Sequence, residues 1–348
     1  MRRVTTLAAA ILAGALVLTS CGGDDAAETT PKDDTESSAA AADIKVGMGY
    51  DIGGRGDLSF NDAAAVGLDK AKSDLGVEIQ EAEAKQGEPE SAKEERLRIL
   101  AENGFDPVLA IGFAYATSLS KVAKEFPDTT FAIVDDGVEG DNITNLLFAE
   151  EQGSFLVGAA AALKTETGTV GFMGGCTVDL IKKFEAGYKA GVEAAKPGTK
   201  VVSKYLSDPP GCEAFRTTDT GKTAGQGMYD AGADIVFHAA GASGIGLFEA
   251  AKASGGLAIG VDQDQYNSAD AGVKDVILTS MLKRVDVAVF EFIQSVVDGN
   301  VKPGPVVFDL EADGVGYATS GGKVDDIADK LEEYKEKIIS GEITVPTK

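Results

Sequence analysis

The chain has 348 residues, a formal charge of −24 at pH 7, one histidine and three cysteines. So acidic a surface repels nucleic acid, nucleotides and anionic lipid heads at long range, which argues against polyanionic partners and favours a neutral or cationic ligand. A single histidine leaves little material for a histidine-based triad or metal centre.

At the start of the chain, Arg2 and Arg3 precede an unbroken small and apolar run from Leu7 to Leu18. The run is shorter than the ~20 residues a spanning helix needs, so residues 1–20 read as a secretory signal peptide. It stops at Leu18-Thr19-Ser20-Cys21, which resembles the lipobox of bacterial lipoproteins. That resemblance implies cleavage before Cys21 and lipid on its sulfur and amine, with ordinary secretion and an incidental cysteine as the alternative. Residues 21–42 turn to Asp, Glu, Ala, Ser and Thr with one proline, too polar to bury a core, and read as a flexible tether. Loss of Arg2 and Arg3 with the leader takes the charge from −24 to −26. No other run is long and apolar enough to cross a membrane, so the expected location is the outer face of the cell membrane, reached through the lipid anchor only.

About 305 residues follow, more than one hydrophobic core usually carries, and two lobes are expected. Apolar β-branched runs alternate with helical stretches, the pattern of a parallel sheet covered on both faces. Strands are predicted at 45–50, 77–80, 108–111, 131–134, 169–173, 201–205, 235–239, 257–261 and 276–281. A helix follows Ser59, where Ser59 and Asp62 make a capping-box-like start and Ala64, Leu68, Ala71 and Leu75 recur at helical spacing. Further helices are predicted at 90–103, 119–126, 153–163, 181–195, 220–231, 244–253, 286–298 and 324–339. A break at 150–154 separates two stretches of similar length without a Pro- or Ser-rich linker, ligand-type residues occur in both, and a strand follows the second. Interleaved α/β lobes around a cleft fit this better than an unlinked pair. Lobe I takes 43–150 and about 263–300, lobe II 151–262 and about 301–348.

Three apolar runs end in an aspartate, at Asp51, Asp135 and Asp262. In open α/β sheets ligands sit outside the carboxyl ends of strands, so the three carboxylates would share one crevice; singly, each also suits an N-cap or turn. Carboxylates are the acceptors that sugar hydroxyls and purine N–H groups need. Lys283, beyond the last strand, would neutralise one of them and donate to a hydroxyl, unless it is an ordinary exposed lysine.

Phe60 and Asn61 lie in a loop entering a helix, and Phe215 in another. Each ring either packs into the core or offers a flat face to a planar ligand, with Asn61 adding a donor and an acceptor. One ring per lobe would sandwich an aromatic base, each stack contributing about 1–3 kcal/mol. Gly241 opens Gly241-Ala242-Ser243-Gly244-Ile245-Gly246, where backbone approaches a ligand closely, but the spacing is not G-x-G-x-x-G and dinucleotide binding loses its support. With no phosphate-binding lysine loop, H-E-x-x-H or paired C-x-x-C, neither a metal nor a cofactor is expected, and His238 reads as a packed or hinge-side residue. Cys176 and Cys212 are either bridged, as export permits, or two small buried residues.

Asp51 with Asp57-Leu58-Ser59-Phe60-Asn61-Asp62, Phe131-Ala132-Ile133-Val134-Asp135, Glu151-Gln152-Gly153-Ser154-Phe155, the Gly241 loop, Ile259-Gly260-Val261-Asp262-Gln263-Asp264-Gln265 and Ser280-Met281-Leu282-Lys283 resemble the basic membrane protein (BMP) family of ABC-transporter lipoproteins, the purine-nucleoside-binding type. These segments run in family order over nearly the whole folded chain. The resemblance implies an α/β, two-lobe type I periplasmic-binding-protein fold, each lobe a doubly wound, mostly parallel sheet with flanking helices, joined by three crossovers. It also implies roles: Phe60 and Phe215 stacking on the base, Asn61 and Asp135 with Asp51 near hydrogen-bonding it, and Asp262, Lys283 and the Gly241 backbone holding the ribose. Around Phe215 the sequence departs from the family, with Ala214 before it, Asp219 later than the family's aspartate, and Cys212 beside it.

The expectation is a monomeric, non-catalytic binding protein that hands a purine nucleoside to an ABC permease. A sugar binder on the same fold is the first alternative. An NAD-dependent oxidoreductase would need the dinucleotide loop the chain lacks, and a sensory or transcriptional protein would not need a lipobox.

Overall fold

The computed structural model describes residues 43–348; the leader, Cys21 and the tether lie outside the described residues. The chain forms β1 (Lys45–Tyr50), β2 (Glu78–Glu83), β3 (Val108–Ile111), β4 (Phe131–Val134) and β5 (Ile143–Phe148), then β6 (Thr169–Gly174), β7 (Lys200–Tyr205), β8 (Ile235–Ala239), β9 (Leu257–Asp262) and β10 (Ile277–Lys283). Two short strands follow, β11 (Gly304–Phe308) and β12 (Val315–Tyr317). They make two six-stranded sheets with the same winding, β11-β5-β4-β3-β1-β2 and β12-β10-β9-β8-β6-β7. Pairing is parallel except between β10 and β12. This is the two-lobe type I periplasmic-binding architecture, with three passages between lobes, after β5, β10 and β11.

The central strands β3 and β4 are buried at every position, as strands covered on both faces must be, which explains their continuous apolar runs. In each sheet the order reverses at the first strand, between β1 and β3 in one lobe and between β6 and β8 in the other. Crevices open at such reversals outside the carboxyl ends of the strands.

The expected division of the chain differs from the structure in its last third. The strand of 276–281 falls in the stretch assigned to lobe I, yet β10 pairs with β9 from Ile277↔Ala258 to Leu282↔Asp262 and completes the second sheet. Only the following helix Val285–Val297 joins the first lobe, against helix Phe60–Leu75, where Gly67 lies so close to the Asp286 carbonyl that a Cβ would come within 2.4 Å of it. Conversely, β11 lies in the stretch assigned to lobe II but pairs with β5 in the first sheet. β5, β11 and β12 are strands that the sequence reading lacks. β5 carries Thr144 and Asn145, and both are satisfied, Thr144 by the distant Lys302 carbonyl and Asn145 locally by the Val138 amide and carbonyl. β11 begins Gly-Pro and sits at a sheet edge, where a missing N–H costs no ladder bond.

Helix Phe60–Leu75 starts where expected but is capped differently. The Ser59 hydroxyl makes no cap bond. It donates instead to Asp262 of the other lobe at 2.5 Å, and Asp57 takes over the cap, accepting from the amides of Ser59, Asn61 and Asp62.

Glycines let the flanking helices meet at backbone distance. In helix Asp179–Ala195, a Cβ on Gly191 would stand 1.9 Å from the Phe155 carbonyl oxygen and one on Gly187 2.1 Å from that of Glu151, both in helix Glu150–Lys164. Gly227, in helix Thr218–Asp230, faces open space. Gly191→Ala is therefore expected to destabilise the fold by about 1–3 kcal/mol through forced separation of two helices. Gly227→Ala should instead stabilise it by about 0.4–1 kcal/mol through the unfolded chain. Urea unfolding followed by circular dichroism measures both signs.

Candidate functional site

The carboxyl ends of both sheets face one cavity of about 320 Å³, the size class of small-molecule sites. From the first sheet come Asp51 after β1, Gly112 and Phe113 after β3, and Asp135 after β4. The second supplies Ala239 ending β8 with Ala240 and Gly241 after it, Asp262 ending β9 and Lys283 ending β10. Phe60 and Asn61 enter from their helix start, and Phe215 with Cys212 from the loop before helix Thr218–Asp230. The eight residues singled out from sequence, Asp51, Phe60, Asn61, Asp135, Phe215, Gly241, Asp262 and Lys283, thus line the same cavity.

Local backbone geometry sets up the acidic groups. Asp135 and Asp262 adopt left-handed conformations, with φ of 72° and 64°, which aspartate tolerates better than most residues. Asp51 accepts from the Ile52 amide at 2.7 Å. Gly112, at φ of 111°, passes so near that a Cβ would come 2.8 Å from the Asp51 carboxylate; both the angle and the contact require glycine. Burial pushes the Asp51 and Asp262 carboxyls up to about 6, partly offset by the Ile52 amide and Lys93 at Asp51, and by Lys283 and the Ser59 hydroxyl at Asp262.

Asp57 is the organiser of the first lobe's side. Besides capping the helix, it accepts from the Asn61 side-chain amide at 3.1 Å. Because a carboxylate can only accept, Asn61 must turn its nitrogen to Asp57, which leaves its oxygen as an acceptor. The Asn61 Oδ1 and Asp135 Oδ1 atoms are both buried without a protein partner among the described residues. Two enclosed acceptors on one cavity wall match donors on a ligand, since unpaired buried polar atoms are costly.

Lys283 crosses between the lobes. Its Nζ lies 2.5 Å from Asp135 Oδ2 and 3.5 Å from Glu150 Oε1, with both its own side chain and those carboxylates almost wholly buried. Burial alone would lower the ammonium pKa, but Asp135, Glu150 and Asp262 outweigh it and hold it above the ordinary lysine value. Burial raises the Glu150 carboxyl, with Lys283 and Lys183 opposing. Lys283 also stands 5.1 Å from the Phe60 and Phe148 ring centroids, within cation–π range.

Phe60 and Phe215 come from opposite lobes. Phe215 lies against bare Gly175 backbone, where a Cβ would come 2.4 Å from its ring, and edge-on to Phe113 across the cleft with centroids 6.4 Å apart. Cys176 and Cys212 are joined in a disulfide. His238 is fully buried, pairs with Gln265 Oε1 at 3.0 Å, and is kept neutral by burial, which pushes its pKa down to about 4. It packs under Gly244 rather than lining the cavity.

The sequence reading missed Asp57, Lys93, Phe113, Leu180, Ile181 and Phe184, all of which line the cavity. Phe113 was within reach of the rule that found the aspartates, since it lies just past the end of β3 as Asp51 and Asp135 lie just past β1 and β4. Leu180, Ile181 and Phe184 carry no such signal, because apolar residues in the first turns of a helix read as core.

A family model described as Bmp, ABC transporter substrate-binding protein PnrA-like, matches residues 44–348. The CD4+ T-cell-stimulating antigen of Listeria monocytogenes is 35% identical, the match covering 88% of this chain and 89% of that protein. The ABC transporter nucleoside-binding protein BmpA of Lactococcus lactis is 32% identical over 88% of this chain and 90% of its own length. Among solved structures, an ABC transporter solute-binding protein from Aeropyrum pernix aligns with a TM-score of 0.76 at 29% identity, covering 88% of this chain and 94% of that one. A two-lobed fold with a cavity between the lobes, matched by that family over the described length, makes this chain a member of the Bmp family of PnrA-like ABC transporter substrate-binding proteins, which bind their ligand between the lobes.

Proposed function

We propose that the protein is an exported, lipid-anchored receptor that binds an uncharged purine nucleoside and presents it, as a monomer, to an ABC permease. The observation that carries the reading is the pairing of two aromatic rings from opposite lobes, Phe60 and Phe215, with enclosed acceptors on the same cavity. In this reading the rings stack on the base, and Asn61 Oδ1 and Asp135 Oδ1, with Asp51 near, accept from its N–H groups. Asp262, Lys283 and the Gly241 backbone hold the ribose hydroxyls. Four aspartates line the cavity against two lysines, which favours a neutral ligand over its phosphate ester. The nucleoside-binding relative from Lactococcus lactis supports the same assignment. Anchoring follows from the resemblance of residues 18–21 to a lipobox.

A thermal-shift screen tests this. Guanosine, inosine or adenosine at a hundredfold excess over Kd should stabilise the protein by about 2.7 kcal/mol through mass action, while the 5′-monophosphates, hexoses, pentoses and NAD should do little. Stabilisation by a sugar or by NAD alone would overturn the reading. Phe60→Ala is expected to weaken nucleoside binding about tenfold, the loss of one stack, as read by calorimetry.

The raised carboxyls give the pH dependence. Asp51 and Asp262 bind their protons more tightly folded, near pH 6, than unfolded near 3.8. Their ionisation therefore costs the free protein stability above about pH 6, and that cost fades as the pH falls towards 4. The ligand, in contrast, needs the ionised acceptors. Nucleoside affinity should thus hold above pH 7 and drop by pH 5, one unit below the raised values, about tenfold for each of the two carboxylates the ligand needs ionised, even as the free protein loses this source of instability. Affinity unchanged between pH 7 and pH 5 would remove these carboxylates from the binding contacts.

A further inference from the structure

Part of the cavity wall is formed by Pro210, Gly211 and Cys212, in a largely exposed segment of the second lobe. Upstream, Thr177 holds this segment through the Ser207 carbonyl and, at 2.7 Å, the Asp208 side chain. Downstream, Ser243 Oγ donates to the Ala214 carbonyl at 2.6 Å and accepts from the Thr217 amide at 2.8 Å. Between those anchors no hydrogen bond ties residues 209–212 to the sheets or their flanking helices among the described residues. What does tie them is covalent. Cys212 is bonded to Cys176, 36 positions earlier, with Cα atoms 5.1 Å apart. Cys176 directly follows Gly175, the residue on which the Phe215 ring rests.

We infer that the Cys176–Cys212 disulfide is a positioning element of the ligand site: it clamps the 209–215 wall to the end of β6 and thereby holds Phe215 ready for a planar ligand. The inference rests on the nucleoside reading above. Cys212 itself has φ of 40° and lines the cavity, so the bridge stands within the wall rather than in remote scaffold. With the bridge opened, the wall keeps only its two hydrogen-bonded ends. The ligand must then order the segment as it binds, and ordering on binding weakens affinity.

The test uses the folded protein in three forms: bridged, reduced with a phosphine, and as the Cys176→Ser/Cys212→Ser double variant. Inosine affinity is expected to fall about tenfold in both unbridged forms, mainly through faster dissociation. In the free protein, hydrogen exchange should quicken in peptides spanning 206–217 and stay unchanged in the rest of both lobes. Phe215→Ala should lose affinity similarly, and reduction should add nothing to that loss, because bridge and ring act as one unit. Unchanged inosine affinity on reduction, additive losses, or faster exchange throughout both lobes would each overturn the inference. Failure of the bridged wild type to bind any nucleoside would instead sink the nucleoside reading, and the exchange measurement would still decide whether the bridge clamps the wall.

Discussion

A buried lysine between two buried carboxylates constrains everything around it. Lys283 ends a strand of the second sheet, Asp135 follows a strand of the first, and Glu150 opens the helix that leads the chain from one lobe to the other. A lone charge this enclosed would be strongly destabilising, whereas a charge with good partners is tolerated. The pair therefore ties the strand ends of one lobe to those of the other, and it does so on the cavity wall. The same ammonium lies near three rings, Phe60, Phe148 and Phe184, so the apolar part of the wall is built around it too.

Around that centre the site is assembled from acceptors with their geometry already fixed. Asp57 turns Asn61, the Ile52 amide and Gly112 confine Asp51, and Ser59 reaches from its helix start to Asp262. Each of these arrangements gives up something local. The Ser59 hydroxyl abandons its own helix cap, and two aspartates adopt left-handed backbone. Such departures from local preference cluster where a protein does its work. Here the result is a wall on which acceptors are held in place before a ligand arrives, which lowers the cost of binding one.

The bonds between the lobes are concentrated beside the cavity. Gln263 donates to the Ser59 carbonyl and Gln265 to that of Leu58, both at 2.8 Å, and Gln265 uses its oxygen for the Val261 amide and His238. A single glutamine thus joins the helix entry of the first lobe to the interior of the second sheet. His238, the chain's one histidine, serves this internal junction as a neutral group.

The sequence by itself determined which runs become central strands, because residues buried on both faces must be apolar throughout, and β3 and β4 follow the pattern residue for residue, while β8 departs from it only at His238. It also determined the acidic strand ends and the two loop phenylalanines, since polar or aromatic residues at the carboxyl ends of such strands have few roles other than turning the chain or meeting a ligand. Tertiary structure alone decided the rest. β10 carries nothing that marks it for one sheet or the other; the choice lies in its register with β9, a contact between segments with no local signature. Edge strands such as β11 and β12 are interrupted by glycine or proline, so their identity as strands comes from a neighbour's free edge. Asp57 reads as one more loop carboxylate until the folded helix start brings three amides to it. Periodicity reports what a residue is buried against on average, whereas pairing across a fold depends on which surfaces are left to meet.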